Sequence, residues 1–344
     1  MRRSLVLRWT KRLLLGIGCF IVPVVLVGAG YETFMRWQAS RQYPALGQLV
    51  DVGGRRIQID CRGKGSPTVV LESGLDALGS LSWATVHDEI AQTSRVCAYS
   101  RAGILWSDPT TDASDSKKVA QDLHTALTKV GETPPWVMVG HSLGGPYIMR
   151  FTSLYKAEVA GLVFVDASHP DQVAPMQKIT GMSLDTPPSS IIPLAEAVAK
   201  IGLVRLVSRS STSPNVPPLV NQVEQAYLSQ NIGSFLQEVQ LSEAAIAAAG
   251  DFRQLGDRPL VVLTAMKKHS SDELQNMGMS QNQEMQMQAL WNQLQADQAT
   301  WSTRSRHEIV PDASHYIQFD RPDVVLKAVH EVVITVRKTK AKSQ

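Results

Sequence analysis

The sequence predicts an α/β fold, an eight-stranded and mostly parallel sheet with helices on both faces. Three observations carry that expectation. Short continuous apolar runs, "PTVVLE", "WVMV", "GLVFV" and "PLVVLTA", have the composition of strands buried on both sides. Segments between several of them carry apolar residues at helical spacing, and alternation of strand with helix implies parallel pairing. One long stretch, 171–257, breaks the rhythm with a helical, proline-punctuated pattern that suits an inserted cap.

At the N-terminus, Arg2, Arg3, Arg8, Lys11 and Arg12 precede "LLLGIGCFIVPVVLVGAG" (13–30), eighteen residues without a charge. That length is near the lower limit for a helix crossing a bilayer, and Pro23 is tolerated in such helices. The cationic cluster places 1–12 in the cytoplasm and the rest of the chain outside it, with 13–30 as the anchor. A cleaved signal peptide is the rival reading, because Val27-Gly28-Ala29 offers small residues for cleavage. Against it, the apolar run exceeds the roughly 7 to 15 residues of a signal core. Residues 31–45 read as a polar connector and 339–344 as a basic tail. The net charge is only +3, and its excess sits in the N-terminal cluster, which argues against nucleic-acid binding. With 344 residues and 44% hydrophobic content, the chain can bury one large core, assigned to 46–170 and 258–338.

Along that core, "GQLVDVGGRRIQIDCRG" alternates apolar and polar positions around Gly53-Gly54 and reads as a hairpin. "SPTVVLESG" and "SRVCAYSRAG" are the third and fourth strands. Val119, Leu123, Leu127 and Val130 define a helix over 115–130, stopped by Gly131. "WVMV" and "VAGLVFVDASHP" follow. Within the cap lies a Ser/Pro-rich stretch, 208–218. "DRPLVVLTA" and "SRHEIVPDASH" complete the sheet, and the Met/Gln-rich segment between them, 275–298, is assigned to a helix of adaptable packing at the cap margin.

The chemistry begins at Gly140-His141-Ser142-Leu143-Gly144. The G-x-S-x-G spacing between a strand and a helix forces one sharp turn, with Ser142 exposed at its apex and small neighbours preventing collision. A serine hydroxyl needs a base within hydrogen-bond reach and a third group to orient that base. His315, just past the last strand, is the best placed of the eight histidines. His141 should point away from its neighbour and is structural or pocket-lining; His169 and His269 are loop residues near the site. For the acid, Asp166 ends the strand "LVFVD", where ligands bind in open α/β sheets. Asp272, about seven residues beyond the later strand, is the alternative.

The ordered set "VVLESGLDALGSLSW", "RVCAYSRAGILWSDP", "VGHSLGG", "LVFVDASHPD", "PLVVLTA" and "PDASHYIQFDRPDVV" resembles the α/β-hydrolase superfamily over most of 48–336. The resemblance implies an oxyanion hole from the backbone N–H groups of Leu75 and Leu143, although Glu72-Ser73-Gly74 stands where His-Gly-x is usual and Ser100 where an aspartate is usual. Gly74, His141 and His169 are assigned to the substrate pocket. Most members carry the acid after the strand matching "PLVVLTA", yet Met266 to Lys268 hold no carboxylate. The haloalkane dehalogenase branch carries it one strand earlier, and Asp166 lies 24 residues after Ser142 as it does there. Those dehalogenases and the epoxide hydrolases use an aspartate nucleophile, so Ser142 argues for acyl transfer instead. The second and fourth strands are neighbours in this fold, which makes a Cys61–Cys97 bridge conceivable beside the alternative of two buried thiols.

The reading that follows is a membrane-anchored serine hydrolase acting on carboxylic esters through an acyl-enzyme, with Ser142, His315 and Asp166 as its triad and no cofactor or metal. An amidase or aminopeptidase with the same triad, and a noncatalytic exported ligand-binding protein of the same fold, remain alternatives.

Overall fold

Strands with apolar side chains on both faces need a layer of helices on each side, and the chain builds that sandwich. The computed structural model describes residues 2–110, 115–181, 186–207 and 215–343. One sheet contains β1 (Gln48–Asp51), β2 (Arg56–Arg62), β3 (Thr68–Glu72), β4 (Val96–Ser100), β5 (Trp136–His141), β6 (Val159–Val165), β7 (Leu260–Ala265) and β8 (Ser305–Val310). Its order is β1-β2-β4-β3-β5-β6-β7-β8. The hairpin β1–β2 and the pair β2–β4 are antiparallel, and the remaining pairs are parallel.

The helices are α1 (Arg2–Gln42), α2 (His87–Thr93), α3 (Ser116–Lys129), α4 (Gly144–Leu154), α5 (Val173–Thr180) and α6 (Ile191–Lys200). They continue as α7 (Leu203–Val207), α8 (Pro218–Ala248), α9 (Ser271–Asn276), α10 (Gln281–Ala299), α11 (Ile317–Asp320) and α12 (Pro322–Ser343). Alternate strand residues divide between two cores. Val70, Met138, Phe164 and Val262 pack with Leu123 and Leu127 of α3 and Ile148 of α4. Leu71, Val139, Val163 and Leu263 pack with Ile90 of α2 and with Val325, Val329 and Val332 of α12. Each such burial stabilises by about 1.5–3 kcal/mol, so the central strands are held from both sides.

Cys61 and Cys97 are register partners of β2 and β4 and form a disulfide, with Cα atoms 4.0 Å apart. The pairing there is antiparallel, which sets the two side chains face to face.

One expectation needs correction and three are refined. Residues 31–42 are not a connector: α1 runs unbroken to Gln42, because no glycine or proline occurs between Gly30 and Pro44 to stop it. That end of α1 packs on α6 and α8, and Glu32, only 2% exposed, accepts from Arg205 Nε (2.6 Å), Arg36 Nε (2.7 Å) and Ser229 Oγ (2.9 Å). The basic tail is likewise helical, as α12 extends to Ser343. The Met/Gln-rich segment is two helices, separated at Gly278 (φ 66°) and each opened by a reciprocal Ser cap, Ser270 with Glu273 and Ser280 with Gln283. The fourth concerns the cap and is taken up with the cavity below. Of the Ser/Pro-rich stretch, 208–214 lies outside the described residues; Pro217 and Pro218 then open α8.

Candidate active site

The turn after β5 is built by close approach. Ser142 sits at φ 52°, a conformation that costs a non-glycine residue of order 1–3 kcal/mol. Its surroundings hold it there: the Ser142 N–H donates to the Val165 carbonyl (3.2 Å), and its own carbonyl accepts from the N–H groups of Gly145 and Ser168, both at 2.9 Å. A Cβ at Gly144 would lie 2.4 Å from the Glu72 carbonyl oxygen, so only glycine lets the first turn of α4 abut the end of β3.

Asp166 leaves β6 in a similar left-handed conformation, φ 45°. Its Oδ2 lies 2.6 Å from His315 Nδ1, while its Oδ1 accepts from the Ala265 N–H (2.9 Å) and from Trp291 Nε1 (2.7 Å). The carboxylate is 4% exposed and the imidazole 46%, so the acid is enclosed and the base reaches into open space. An Nδ1–H bound to the acid leaves Nε2 as the basic nitrogen. His141 does not face the cavity. Its Nε2 donates to the His315 backbone carbonyl at 2.8 Å, and burial, then the neighbouring His315, hold its pKa well below the ordinary imidazole range. It braces His315 as a neutral ring.

Leu75 and Leu143 meet in one apolar cluster with Val119, Tyr147 and Ile246. Gly74 is pressed against the nucleophile's own residue: a Cβ on it would fall 2.9 Å from Ser142 Cβ. The segment expected to carry an oxyanion donor therefore runs directly beside Ser142.

Ser142, Asp166 and His315 border a cavity of about 680 Å³, within the range of small-molecule sites. Its walls come mostly from outside the cap. Of the cap helices among the described residues, only the start of α5 contributes, through Gln172 and Met176; most of the remaining wall comes from the excursion between β7 and β8, with Ser168 after β6 and Ala313, Ser314, Tyr316 and Asp320 after β8. Met266, Met277, Met279, Met287 and Trp291 give that wall an apolar, deformable surface, with Lys267 and Lys268 also on the lining. Neither the role of Trp291 as a donor to Asp166 nor this methionine lining was derived from the sequence, although the methionine run itself is conspicuous there.

Other expected residues fall elsewhere. His169 is buried away from the cavity, its Nε2 3.0 Å from Asp297 Oδ2 and its ring against Trp301, because the chain turns inward after Asp166. Gly74 is behind Ser142 and not on the lining. Asp272 is exposed on the first turn of α9, while the neighbouring Glu273 faces the cavity. His269 lines it too, with Nδ1 3.2 Å from Glu284 Oε1.

Among the described residues, one group of side chains gathers at metal-ligand spacing, Cys61, Cys97 and Glu132. Both sulfurs are in the disulfide, and Glu132 pairs with Arg95 (2.7 Å) and accepts from Thr68 Oγ1 (2.9 Å), so the group does not suit an ion.

Residues 67–322 match the family described as the alpha/beta hydrolase fold. YbdG, an uncharacterized protein of Bacillus subtilis (strain 168), is 26% identical over 153 residues, 43% of this chain and 47% of that one. The chain spans less than half the length of the curated relatives it matches. Among solved structures, a thermophilic esterase from Thermogutta terrifontis is 21% identical with a TM-score of 0.54, covering 84% of this chain and 97% of that one. The epoxide hydrolase CorEH is 17% identical with a TM-score of 0.58, covering 84% and 98%. At such identities the likeness speaks for the fold alone.

Proposed function

The chain belongs to the α/β-hydrolase fold family, and from that premise we propose that it is a serine hydrolase cleaving carboxylic esters with an apolar acyl group. The observation that carries this reading is the 2.6 Å contact of Asp166 with His315 Nδ1, beside a cavity that Ser142 also lines. Ser142 Oγ attacks the acyl carbon while His315 Nε2 takes its proton and Asp166 stabilises the imidazolium. The Leu75 and Leu143 amides hold the developing oxyanion, an interaction worth several kcal/mol in barrier for one such donor. The proton passes to the departing alcohol, and water then repeats the cycle on the acyl-enzyme. The methionine wall favours an acyl chain of intermediate length, which slides against side chains able to re-pack.

The same reading sets the chain in a membrane. By length and composition α1 can span one, and ahead of the end that docks on α6 and α8 its Phe20, Leu26 and Val27 expose most of their surface. The basic residues before it favour an inside N-terminus and an external catalytic domain. A reporter phosphatase fused after Gln344 tests that orientation, being active only if the domain is exported.

A panel of p-nitrophenyl esters against matched anilides tests the chemistry. Ester turnover that disappears in Ser142→Ala is expected; anilide turnover exceeding it would favour an amidase, and no turnover of either a binding protein.

A further inference from the structure

The end of β4 carries an arginine into the protein interior. Arg101 and its two carboxylate partners, Glu72 and Glu238, are each at most 2% exposed. Nη1 donates to Glu72 Oε1 (2.7 Å) and to the Ser73 carbonyl (2.8 Å), Nη2 to the Gly74 carbonyl (2.6 Å), and Nε to Glu238 Oε1 on α8 (2.7 Å). The Tyr99 hydroxyl donates to Glu72, that of Tyr147 donates to Glu238 Oε1 (3.2 Å), and the guanidinium lies over the Tyr147 ring at 4.9 Å. Burying such a set costs several kcal/mol of desolvation per ion, and an apolar replacement is often as stable. Stability alone does not explain it.

Its geometry does something an apolar cluster could not. The Gly74–Leu75 peptide is trans, and in a planar trans peptide the carbonyl and the following N–H point in opposite directions. Because the Gly74 carbonyl is drawn onto Arg101, the Leu75 N–H is turned away from it, and Gly74 itself abuts Ser142. Only a planar fork with several donors can take two successive carbonyls and two carboxylates at once; a lysine offers a single point charge.

We propose that Arg101 is the positioning residue of the oxyanion hole: its fork fixes the Ser73 and Gly74 carbonyls so that the Leu75 amide faces the reacting oxygen, and through Glu238 that orientation depends on α8 being docked. The proposal rests on the serine-hydrolase reading above. It makes α8 a distant contributor to catalysis, although α8 does not line the cavity.

The test compares wild type with Arg101→Lys and Glu238→Leu as full chains in detergent micelles, using an ester substrate and a trifluoromethyl ketone whose serine adduct carries the oxyanion. Arg101→Lys is expected to lower kcat by about 10²-fold with KM within about threefold, and to weaken the ketone by the same factor as kcat. Glu238→Leu, which keeps Glu72 as counter-charge, is expected to lower both by about tenfold. It decides the matter should Arg101→Lys lose its cooperative melting. Unchanged kcat in a variant that melts like wild type, or a lowered kcat with unaltered ketone affinity, overturns the proposal. Wild type that neither turns over ester nor binds the ketone overturns the serine-hydrolase reading instead.

Discussion

The two excursions from the carboxyl edge of the sheet serve the site in inverse proportion to their size. The one after β6 is long and holds α5 to α8, yet α6 to α8 pack on α1, on one another and on the core, and the apolar residues they leave exposed, Leu194, Leu206, Val207 and Leu219 among them, lie off the cavity. The one after β7 holds only α9 and α10, and all of its methionines but Met285 face the cavity beside Ser142 and His315. The difference teaches that the amount of inserted chain says little about specificity. Apolar side chains that line the space beside the reacting groups are the better guide.

The comparison is broken most severely at its two carboxylates. Asp166 follows β6 and Asp272 follows β7; Asp166→Asn should reduce kcat by about 10³- to 10⁴-fold through the wrong imidazole tautomer, and Asp272→Asn should leave it within about twofold. Steady-state kinetics on one ester decides it, and the reverse pattern would transfer the acid to the second excursion. Trp291→Phe comes next. It removes one of the donors to Asp166 while keeping most of the wall, so kcat should fall about tenfold with little change in KM.

A milder pair sharpens the contrast in specificity. Met287→Ser should lower kcat/KM for an intermediate-chain ester about five- to tenfold and spare acetate, since each buried methylene is worth about 0.8 kcal/mol. Leu194→Ser on α6, exposed and off the cavity, should change neither. Equal effects from the two would erase the distinction between the excursions.

The smallest effect is on stability and belongs to the α8 side. Burial pushes the Glu72 carboxyl up to about 7 from 4.5 and that of Asp76 up to about 6 from 3.8. Between the unfolded and folded values the native chain binds more protons than the unfolded one, so this part of the stability is lost as pH rises from about 4.5 to about 7. Glu72→Gln should flatten the decline in melting temperature between about pH 5 and pH 8 by a few degrees. A variant whose decline matches wild type contradicts the raised carboxyl.

Much of this was legible in the residues. β3, β5, β6 and β7 announce themselves because both faces are apolar, and the elbow because its glycines are forced by contacts shorter than a Cβ allows. Asp166 and His315 could be proposed because each follows a recognisable strand at the carboxyl edge of the sheet. Trp291 could not, since its bond to Asp166 depends on how α10 lies across β7, and a helical pattern does not fix that docking. Arg101 entered only as part of "RVCAYSRAGILWSDP", whose departure is Ser100; nothing local says that an arginine will be buried between residues 72 and 238. The length of α1 was underestimated because Glu32 and Arg36 look like a polar linker until Arg205 is seen to pair with Glu32.

The central claim is that the hydroxyl of Ser142 is made nucleophilic by His315. Peptide mass spectrometry after treatment with a fluorophosphonate tests it most directly. The account predicts an adduct on Ser142 that forms at least about 10²-fold more slowly in His315→Asn. An adduct on another residue, or labelling of Ser142 at the same rate without the imidazole, would contradict it.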